Sequence, residues 1–365
     1  MSDIIQLLPD HVANQIAAGE VVQRPASIVK ELLENAIDAT AQTIELIVRE
    51  AGKNLIHVVD DGIGMSETDA RMAFERHATS KIRTTEDIFK IATKGFRGEA
   101  LASIAAVAQV ELKTRKSEVV IGTNIYIEGG GLQFQEPVQT AQGSNFQVKN
   151  LFYNTPARRN FLKTDATELK HIIDTFRKIA LSYHNVSFKL WNDDDIIYDF
   201  SAGTLEKRIT QVFADNMLDA LIPVEETTDY ISVKGFIGKP TLLRKSKGEQ
   251  YLFLNHRYVQ SKQINHAVFT AYENILEKGE YPFFIIFITV DPHKIDVNVH
   301  PSKLEVRFED EKDIYNFVLA VVRKSLGSFD LVPNLSFSES DSGNEKMKFD
   351  SFHRSEKNDF SDRPV

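Results

Sequence analysis

The chain has 365 residues, 42% hydrophobic and 26% charged, which is typical of a soluble globular protein with about two domains. It contains no cysteine, which excludes disulfides, thiolate zinc sites and cysteine nucleophiles and is consistent with a reducing cytoplasm. The net charge of −9 argues against a nucleic-acid binder driven by overall charge, so any DNA contact needs a local basic patch.

The sequence shows no targeting or membrane segment. Its first residues, MSDIIQLLPD, lack the basic region and long apolar run of a signal peptide. The longest apolar run, residues 281–290, is too short to span a membrane and is predicted to be a buried strand. We therefore expect a cytoplasmic protein without a membrane partner.

Residues 1–205 are predicted to form one mixed α/β unit. Helical patterns cover 11–22, 25–40 and 165–182, and a proline suits the first turn of the second helix. Alternating patterns predict strands at 43–49, 55–60, 107–114, 121–128 and 144–150. Residues 62–100 are rich in Gly, Thr and Ser, which is typical of a long loop that is either functional or disordered.

Residues 206–331 are predicted to form a second α/β unit. Its helical patterns cover 205–213, 262–277 and 311–327, and its strand patterns cover 230–236, 250–254, 282–290 and 295–299. Residues 332–365 are polar and rich in Ser, Asp and Asn, so we expect a disordered tail or linker. Such a tail suggests that the native protein continues, for instance to a dimerisation domain.

The segment ELLENAIDA, residues 31–39, places Glu31, Asn35 and Asp38 on one face of a predicted helix and apolar residues on the other. The ordinary interpretation is a solvated acidic face. A second interpretation is a ligand site, because an amide oxygen beside a carboxylate suits Mg²⁺. Periodicity alone leaves both interpretations open.

Two glycine-rich segments can hold a nucleotide. In VVDDGIGM, residues 58–65, a strand delivers Asp60 into a Gly-x-Gly turn, although a simple exit from the strand explains the pattern equally. In TKGFRGEALASI, residues 93–104, Gly95 and Gly98 lead into a predicted helix start, where anions bind readily. The chain has no Walker motif, so a phosphate site here would belong to another ATPase design.

Several basic residues have both an exposed-surface interpretation and a functional one. Lys303 lies at a predicted turn in VNVHPSKLEVRF. The other basic residues that can contact phosphates are Arg158, Arg159, Lys163, Arg257 and Lys262. His293 and His300 do not form a convincing metal site, because no cysteine or acidic cluster accompanies them.

From residue 4 to about residue 330 the chain resembles the MutL family of DNA mismatch repair proteins. The segment NQIAAGEVVQRPASIVKELLENAIDA is especially similar, and further family motifs follow in order: DDGIGM, RHATSKI, GFRGEALASI, LFYNTPARRNF and DVNVHPSKLEVRF. The resemblance implies an α/β (α+β) fold. It consists of a GHKL, or Bergerat-type, α/β sandwich ATPase domain, a ribosomal-protein-like α/β second domain and a disordered tail.

The resemblance implies site roles at the matching positions. Glu31 is the general base that activates the attacking water, Asn35 is the Mg²⁺ ligand, and Lys303 reaches the γ-phosphate from the second domain. Asp60 hydrogen-bonds the adenine amino group. The further implied ATP-binding residues, several of them in an ATP lid at about 72–100, are Gly62, Gly64, Thr79, Lys81, Gly95, Phe96, Arg97, Gly98 and Ser144. Ser144 replaces the threonine usual in the family and keeps its hydroxyl.

The implied cofactors are ATP and Mg²⁺, and the implied partners are DNA, a second copy paired by nucleotide, the mismatch-recognition protein MutS, and a downstream helicase or endonuclease. Arg257 matches a DNA-binding arginine, with Arg159 and Lys163 as further DNA candidates. In LNHR a histidine replaces the family's usual glycine, which can alter the turn. We expect slow ATP hydrolysis by a nucleoid-associated protein.

Two alternative functions compete with this interpretation. Another GHKL ATPase, such as a topoisomerase subunit or a chaperone, is disfavoured by FYNTPARRNF and NVHPSK. A nucleotide-sensing scaffold that does not hydrolyse ATP would not need Glu31. Endonuclease activity is not assignable from this chain.

Overall fold

The computed structural model describes residues 15–16, 18–19, 21–79, 98–245, 248–292, 295–296, 307–308 and 310–330. The predicted tail at 332–365 and the lid residues 80–97 lie outside the described residues. So do these residues considered in the sequence: Lys81, Gly95, Phe96, Arg97, His293, His300 and Lys303.

The first sheet contains eight strands. They are β1 Thr43–Arg49, β2 Leu55–Asp60, β3 Gln109–Arg115, β4 Gly122–Glu128, β5 Gly131–Val138, β6 Gly143–Lys149, β7 Ser187–Asn192 and β8 Asp195–Phe200. Their order is β5-β4-β3-β6-β2-β1-β7-β8. Neighbours are antiparallel except β1 and β7, which run parallel. Because β2 and β6 are antiparallel, the C-terminal end of β2 at Asp60 lies beside the N-terminal end of β6 at Ser144.

Eight helices are described with bounds: α1 Pro25–Asp38, α2 Glu67–Met72, α3 Ala100–Val107, α4 Pro156–Phe161, α5 Asp165–Ser182, α6 Leu205–Val212, α7 Lys262–Ala271 and α8 Glu311–Asp330. Helices α1 and α5 pack against each other, and α1 also packs on β2. Alternate residues of β1, namely Ile44, Leu46 and Val48, are buried in the apolar core of this layer. A helical layer therefore covers the sheet beside the end of β2.

The second sheet lies in the C-terminal half. The strands are β9 Leu221–Thr227, β10 Ile231–Gly238, β11 Leu243–Arg244, β12 Gln250–Leu254, β13 Arg257–Tyr258, β14 Tyr281–Pro282, β15 Phe284–Val290, β16 Ile295–Asp296 and β17 Arg307–Phe308. Five of them form a sheet in the order β13-β12-β15-β10-β9, and β11-β14 and β16-β17 form two short pairs. Helices α7 and α8 pack together, and α8 lies on β9 and β10.

Aromatic residues on one side of the second sheet pack into the apolar core of the N-terminal layer, whereas a separate apolar core lies between this sheet and helices α7 and α8. Tyr251, Phe253 and Phe283 of the C-terminal half belong to the buried cluster that fills the N-terminal layer. The ring of Phe213, just after α6, meets Tyr251 and Phe283 edge-on, with ring centres 5.6 and 5.2 Å apart. This contact places the β12–β13 hairpin beside α5.

The mixed α/β fold is confirmed, and most long elements lie where the sequence predicts them. The predicted helix at 262–277 was too long, because the helix ends at Ala271. There the buried Tyr272 leaves helical geometry and donates its hydroxyl to the carbonyl of Gly238. Sequence patterns did not predict α2, which lies within the expected loop at 62–100, nor α4, β5, β7, β8, β9 and the two-residue strands β11 and β13. Residues of β5 are mostly exposed, so that strand lacks the alternating burial that periodicity detects.

Candidate active site

A cavity of about 1570 Å³ lies between α1, the end of β2, α5 and the β12–β13 turn. This volume exceeds the roughly 300–1,000 Å³ common for small-ligand pockets, so it can accommodate a nucleotide with room for closure. The predicted site residues that line it are Glu31, Asn35, Asp60, Gly64, Thr79, Gly98, Ser144 and Arg257. Arg159 and Lys163 are exposed on and after α4, away from this lining.

Helix α1 brings Glu31, Asn35 and Asp38 to one wall of the cavity. The helix begins with Pro25 at its first turn, where a missing N–H costs nothing. Its opposite face, which includes Leu32 and Leu33, is buried in the core. The polar face therefore borders the cavity, and the Glu31 side chain is only 20% exposed.

An ion-pair cluster fixes the acidic side chains of α1. The Lys30 Nζ lies 3.2 Å from Glu31 Oε1 and 3.0 Å from Glu34 Oε2. Burial lowers the pKa of Lys30, but the charges of Glu34 and Glu31 raise it by more than burial lowers it. The pKa of Lys30 therefore lies above its ordinary value. Lys30 is therefore a cation at neutral pH. The sequence analysis assigned no role to Lys30 or Glu34, although their four-residue spacing is that of a helical ion pair.

Asp60 ends β2 as a buried carboxylate, 6% exposed, directly opposite Ser144 on β6. Its Oδ1 accepts the backbone N–H of Gly62 at 2.9 Å. Burial raises the pKa of Asp60 to about 6, against the opposing effect of the backbone N–H groups of Gly62 and Ser144. At neutral pH this carboxylate is ionised and only accepts hydrogen bonds, which suits an exocyclic amine. The neighbouring Asp61 instead accepts the backbone N–H of Thr43 at 2.9 Å.

The turn after β2 has no room for side chains at its two glycines. Gly64 has a φ of +65°, and a Cβ there would lie 2.1 Å from the carbonyl oxygen of Arg115. A Cβ on Gly62 would lie 2.6 Å from the carbonyl oxygen of Ala39. The turn is thus held between the end of α1 and β3. Gly64 lines the cavity, whereas the predicted site residue Gly62 does not.

Thr114 fixes this turn to β6. The side chain is fully buried, and its Oγ1 accepts the backbone N–H of Met65 at 3.0 Å and donates to the carbonyl of Gly143 at 2.8 Å. Its Oγ1 also lies 3.3 Å from Ser144 Oγ. The sequence analysis missed Thr114. A signal was present, since Thr114 is the polar member of an inward-facing series with Val110 and Leu112.

The two described ends of the predicted lid meet at the cavity. Thr79 and Gly98 both line it. Gly98 has a φ of +60°, and a Cβ there would lie 2.3 Å from the carbonyl oxygen of Ala78. Ala78 and Gly98, on either side of the segment outside the described residues, therefore lie next to each other at one edge of the cavity.

The β12–β13 turn reaches the cavity from the second sheet. Asn255 and His256 have φ values of +46° and +63°, as in a two-residue type I′ turn, so the histidine still adopts a left-handed conformation. Asn255 holds the turn to β15, because its Nδ2 donates to the carbonyl of Val290 at 2.9 Å and its Oδ1 accepts the Val290 N–H at 3.1 Å. The turn directs Arg257 into the cavity lining.

Within the described ranges, no three His, Asp or Glu side chains are grouped to hold a metal ion. Nor does the described part of the chain include a helix long and apolar enough to cross a membrane.

Two family models match the chain. Residues 23–144 match "Histidine kinase-, DNA gyrase B-, and HSP90-like ATPase", and residues 209–327 match "DNA mismatch repair protein, C-terminal domain". The first match contains α1, the glycine turn and Ser144. The second contains Arg257 and Lys303.

Curated relatives match most of the chain. A DNA mismatch repair protein MutL of Flavobacterium psychrophilum is 53% identical over 337 residues, which cover 92% of this chain and 55% of the relative. The protein of the same name from Bacteroides fragilis is 52% identical over 341 residues, with coverages of 93% and 55%. The chain therefore spans about half the length of the curated relatives it matches.

Solved structures share the fold. A structure described as the N terminal domain of a DNA repair protein has a TM-score of 0.76 and 24% identity, covering 87% of this chain and 99% of its own. The Aquifex aeolicus MutL ATPase domain complexed with ADP has a TM-score of 0.56 and 25% identity, covering 74% of this chain and 94% of its own.

Proposed function

The chain belongs to the MutL family of DNA mismatch repair proteins and contains a GHKL-type ATPase domain, and on this premise we propose that it slowly hydrolyses ATP to couple mismatch recognition to repair. One observation carries the proposal. A single cavity is lined both by Glu31 and Asn35 of α1 and by Asp60 and Ser144 at the end of the sheet.

The end of β2 is proposed to recognise adenine. The ionised Asp60 would accept a hydrogen bond from the adenine amino group, and Ser144 would add its hydroxyl. The turn at Gly62 and Gly64 is proposed to keep the end of β2 in place, since a Cβ at either glycine would collide with a neighbouring carbonyl. Thr114 would keep this turn in place.

Glu31 is proposed to be the general base. Its carboxylate can accept a proton from the attacking water, and Lys30 at 3.2 Å restrains its position. Asn35, one helical turn later, would hold Mg²⁺ through its amide oxygen. A bound Mg²⁺ would offset the negative charge of the phosphates.

The remaining ATP contacts are proposed from the family motifs. Thr79 and Gly98 at the described edges of the lid support closure of that segment over the phosphates. The other proposed phosphate contacts are Lys81, Gly95, Phe96, Arg97 and Lys303. The last would stabilise charge in the transition state.

We propose that the domains span residues 1–205 and 206–331, with 332–365 as a linker. The second family model begins at residue 209, close to the proposed boundary, and Ile209 and Val212 of α6 still pack in the core of the N-terminal layer. The proposed partners are DNA, a nucleotide-paired second copy, MutS and a downstream helicase or endonuclease. DNA contact would place the protein at the nucleoid.

The experiment for the ATPase and the pairing uses purified chain with Mg²⁺. We expect slow phosphate release that Asn35→Ala abolishes, and dimerisation with a non-hydrolysable ATP analogue by light scattering. Phosphate release that persists in Asn35→Ala would remove Asn35 as metal ligand. A chain that stays monomeric with the analogue at micromolar concentration would contradict the proposed dimerisation with nucleotide.

The DNA contact is tested by salt dependence. Arg257→Glu, Arg159→Glu and Lys163→Glu should each weaken DNA binding and lower the slope of affinity against salt by about one unit, because each removes one phosphate contact. A variant with an unchanged slope would exclude its residue from the DNA interface.

A further inference from the structure

The motif LFYNTPARRNF, residues 151–161, contains a turn that has no role in the proposed ATPase or DNA contact. The turn lies between β6 and α4. Phe152 is 1% exposed and has a φ of +63°, and Asn150 before it has a φ of +52°. The backbone N–H of Tyr153 donates to the carbonyl of Asn150 at 3.0 Å. Asn154 therefore extends from a turn whose conformation is held by burial and by backbone hydrogen bonding.

Asn154 contacts the C-terminal end of α3. Its Nδ2 donates to the carbonyl of Ala106 at 2.9 Å. The backbone N–H of Phe152 donates to the next carbonyl, that of Val107, at 2.8 Å, and the β4–β5 turn donates a backbone N–H to the carbonyl of Ala105 at 2.8 Å. The last carbonyls of a helix have no partner within the helix, so these three bonds satisfy the end of α3. Among the three, the bond from Asn154 is the one that a side chain supplies.

The opposite end of α3 lies at the cavity. The residues at this end that line the cavity are Gly98, Glu99, Ala100 and Leu101. The first N–H groups of a helix have no partner within the helix, which makes them suitable donors to phosphates. Helix α3 has eight residues and is therefore about 12 Å long, and its residues 103–107 are buried. A displacement at one end of so short an element moves the other end as well.

We propose that Asn154 is a positioning residue for the phosphate end of the nucleotide site. By holding the carbonyl of Ala106, it fixes α3 along its axis and so keeps the N–H groups at the start of α3 in place for the phosphates. Asn154 itself does not line the cavity, so it acts through α3 rather than on the nucleotide. The inference rests on the proposed function, in which the segment leading into α3 binds the phosphates and Asp60 binds adenine.

Two substitutions remove the bond from Asn154. Asn154→Asp keeps the shape of the side chain but replaces the Nδ2 donor by an oxygen, which repels the carbonyl of Ala106. Asn154→Ala removes the donor without adding a charge. Each should weaken ADP binding about tenfold, because the carbonyl of Ala106 loses its partner and α3 shifts to find another. Affinity for adenosine, which has no phosphates, should stay within about twofold of wild type, because its proposed contacts lie at Asp60.

The experiment measures the affinities of ADP and adenosine by calorimetry on the purified chain with Mg²⁺, and compares the ratio of the two affinities between variants. A loss of folded protein lowers both apparent affinities alike, so it leaves this ratio unchanged. The control is Asn150→Asp, which makes the same chemical change four residues earlier. The Asn150 Nδ2 donates to Gln109 Oε1 of β3 at 2.7 Å rather than to α3, so this variant should keep the wild-type ratio.

A wild-type ratio in both Asn154 variants would overturn the positioning role, and so would an equal fall of the ratio in Asn150→Asp. If both Asn154 variants fail to fold, Asn154 serves the stability of the fold and the inference is likewise overturned. The two proposals fail in different ways. A wild-type chain that binds neither ligand would contradict both. A wild-type chain that prefers ADP to adenosine, beside Asn154 variants with the same preference, would contradict the role of Asn154 alone.

Discussion

Asp60 and Ser144 face each other across β2 and β6, and the backbone N–H of Ser144 helps to hold the Asp60 carboxylate. The pair forms at the edge where both strands border the cavity. Burial raises the pKa of Asp60 to about 6, so the proposed adenine acceptor titrates just below neutral pH.

Nucleotide affinity should therefore fall in mild acid. Above pH 6 Asp60 is ionised and accepts the adenine amino group, and below pH 6 protonation occupies that acceptor. If the protonated form does not bind, affinity drops about tenfold for each pH unit below 6. Calorimetry with ADP from pH 7.5 to 5 measures this. Asp60→Asn is the control, because it removes the titrating carboxyl. This variant should bind ADP weakly, and any pH dependence of its affinity comes from the phosphates of ADP. Parallel pH profiles would contradict the role of Asp60.

Thr114→Val should destabilise the protein and weaken nucleotide binding. The change leaves the Met65 N–H and the Gly143 carbonyl without their hydroxyl partner, which costs about 2 kcal/mol of unfolding free energy. Thr123 lies opposite Thr114 on β4, and within the described ranges its hydroxyl accepts a single bond, from Gln135 Nε2 at 3.4 Å, so Thr123→Val is a matched control. Denaturant unfolding and ADP titration should show the larger loss in Thr114→Val. Equal losses would contradict the role of Thr114.

Gly64→Ala should abolish nucleotide binding. The added Cβ would lie 2.1 Å from the Arg115 carbonyl oxygen at a φ of +65°, so the turn must move. A Cβ added to Gly327 in α8 would meet none of the described residues within 4 Å, so Gly327→Ala should stabilise the helix by up to about 1 kcal/mol and leave binding unchanged. Thermal melting and ADP titration distinguish the two. Normal binding by Gly64→Ala would show that the turn is not constrained.

Arg208→Met should destabilise the fold without altering the site directly. Arg208 is 1% exposed, and its guanidinium donates to the carbonyls of Ala180 and Val186 at 2.6 and 2.7 Å near the end of α5. Burial lowers its pKa to about 10, so it remains a cation at neutral pH and complements the negative end of that helix. Leaving these carbonyls unpaired should cost roughly 3 kcal/mol of unfolding free energy.

The neighbouring exposed Lys207 provides the control. Lys207→Met should change the unfolding free energy by less than about 0.5 kcal/mol. Urea unfolding of the two variants measures the difference. Similar stabilities would show that the bonds of Arg208 add little to the fold.

The site elements that depend on local sequence were predictable. The period of the apolar residues predicts helix α1. The position of Asp60 is predicted by a strand pattern that leads into a Gly-x-Gly turn. Glu31 and Asn35 gained roles only through the family resemblance, since periodicity also allows a solvated face.

Residues whose roles depend on distant contacts were not predictable. Thr114 matters because β3 and β6 pair in one register, which places its hydroxyl beside Gly143. In the sequence, Arg257 matches a DNA-binding arginine of the family. In the structure it also lines the cavity, because Asn255 and Ser182 hold its turn in place.

The most direct test of the account is steady-state phosphate release by Glu31→Ala beside wild type, with ATP binding measured on the same samples. Glu31 lies in the cavity wall, and its loss should leave the proposed adenine contact at Asp60 intact. The account predicts retained ATP binding and loss of hydrolysis. Hydrolysis by Glu31→Ala at the wild-type rate would contradict the assignment of Glu31 as the base.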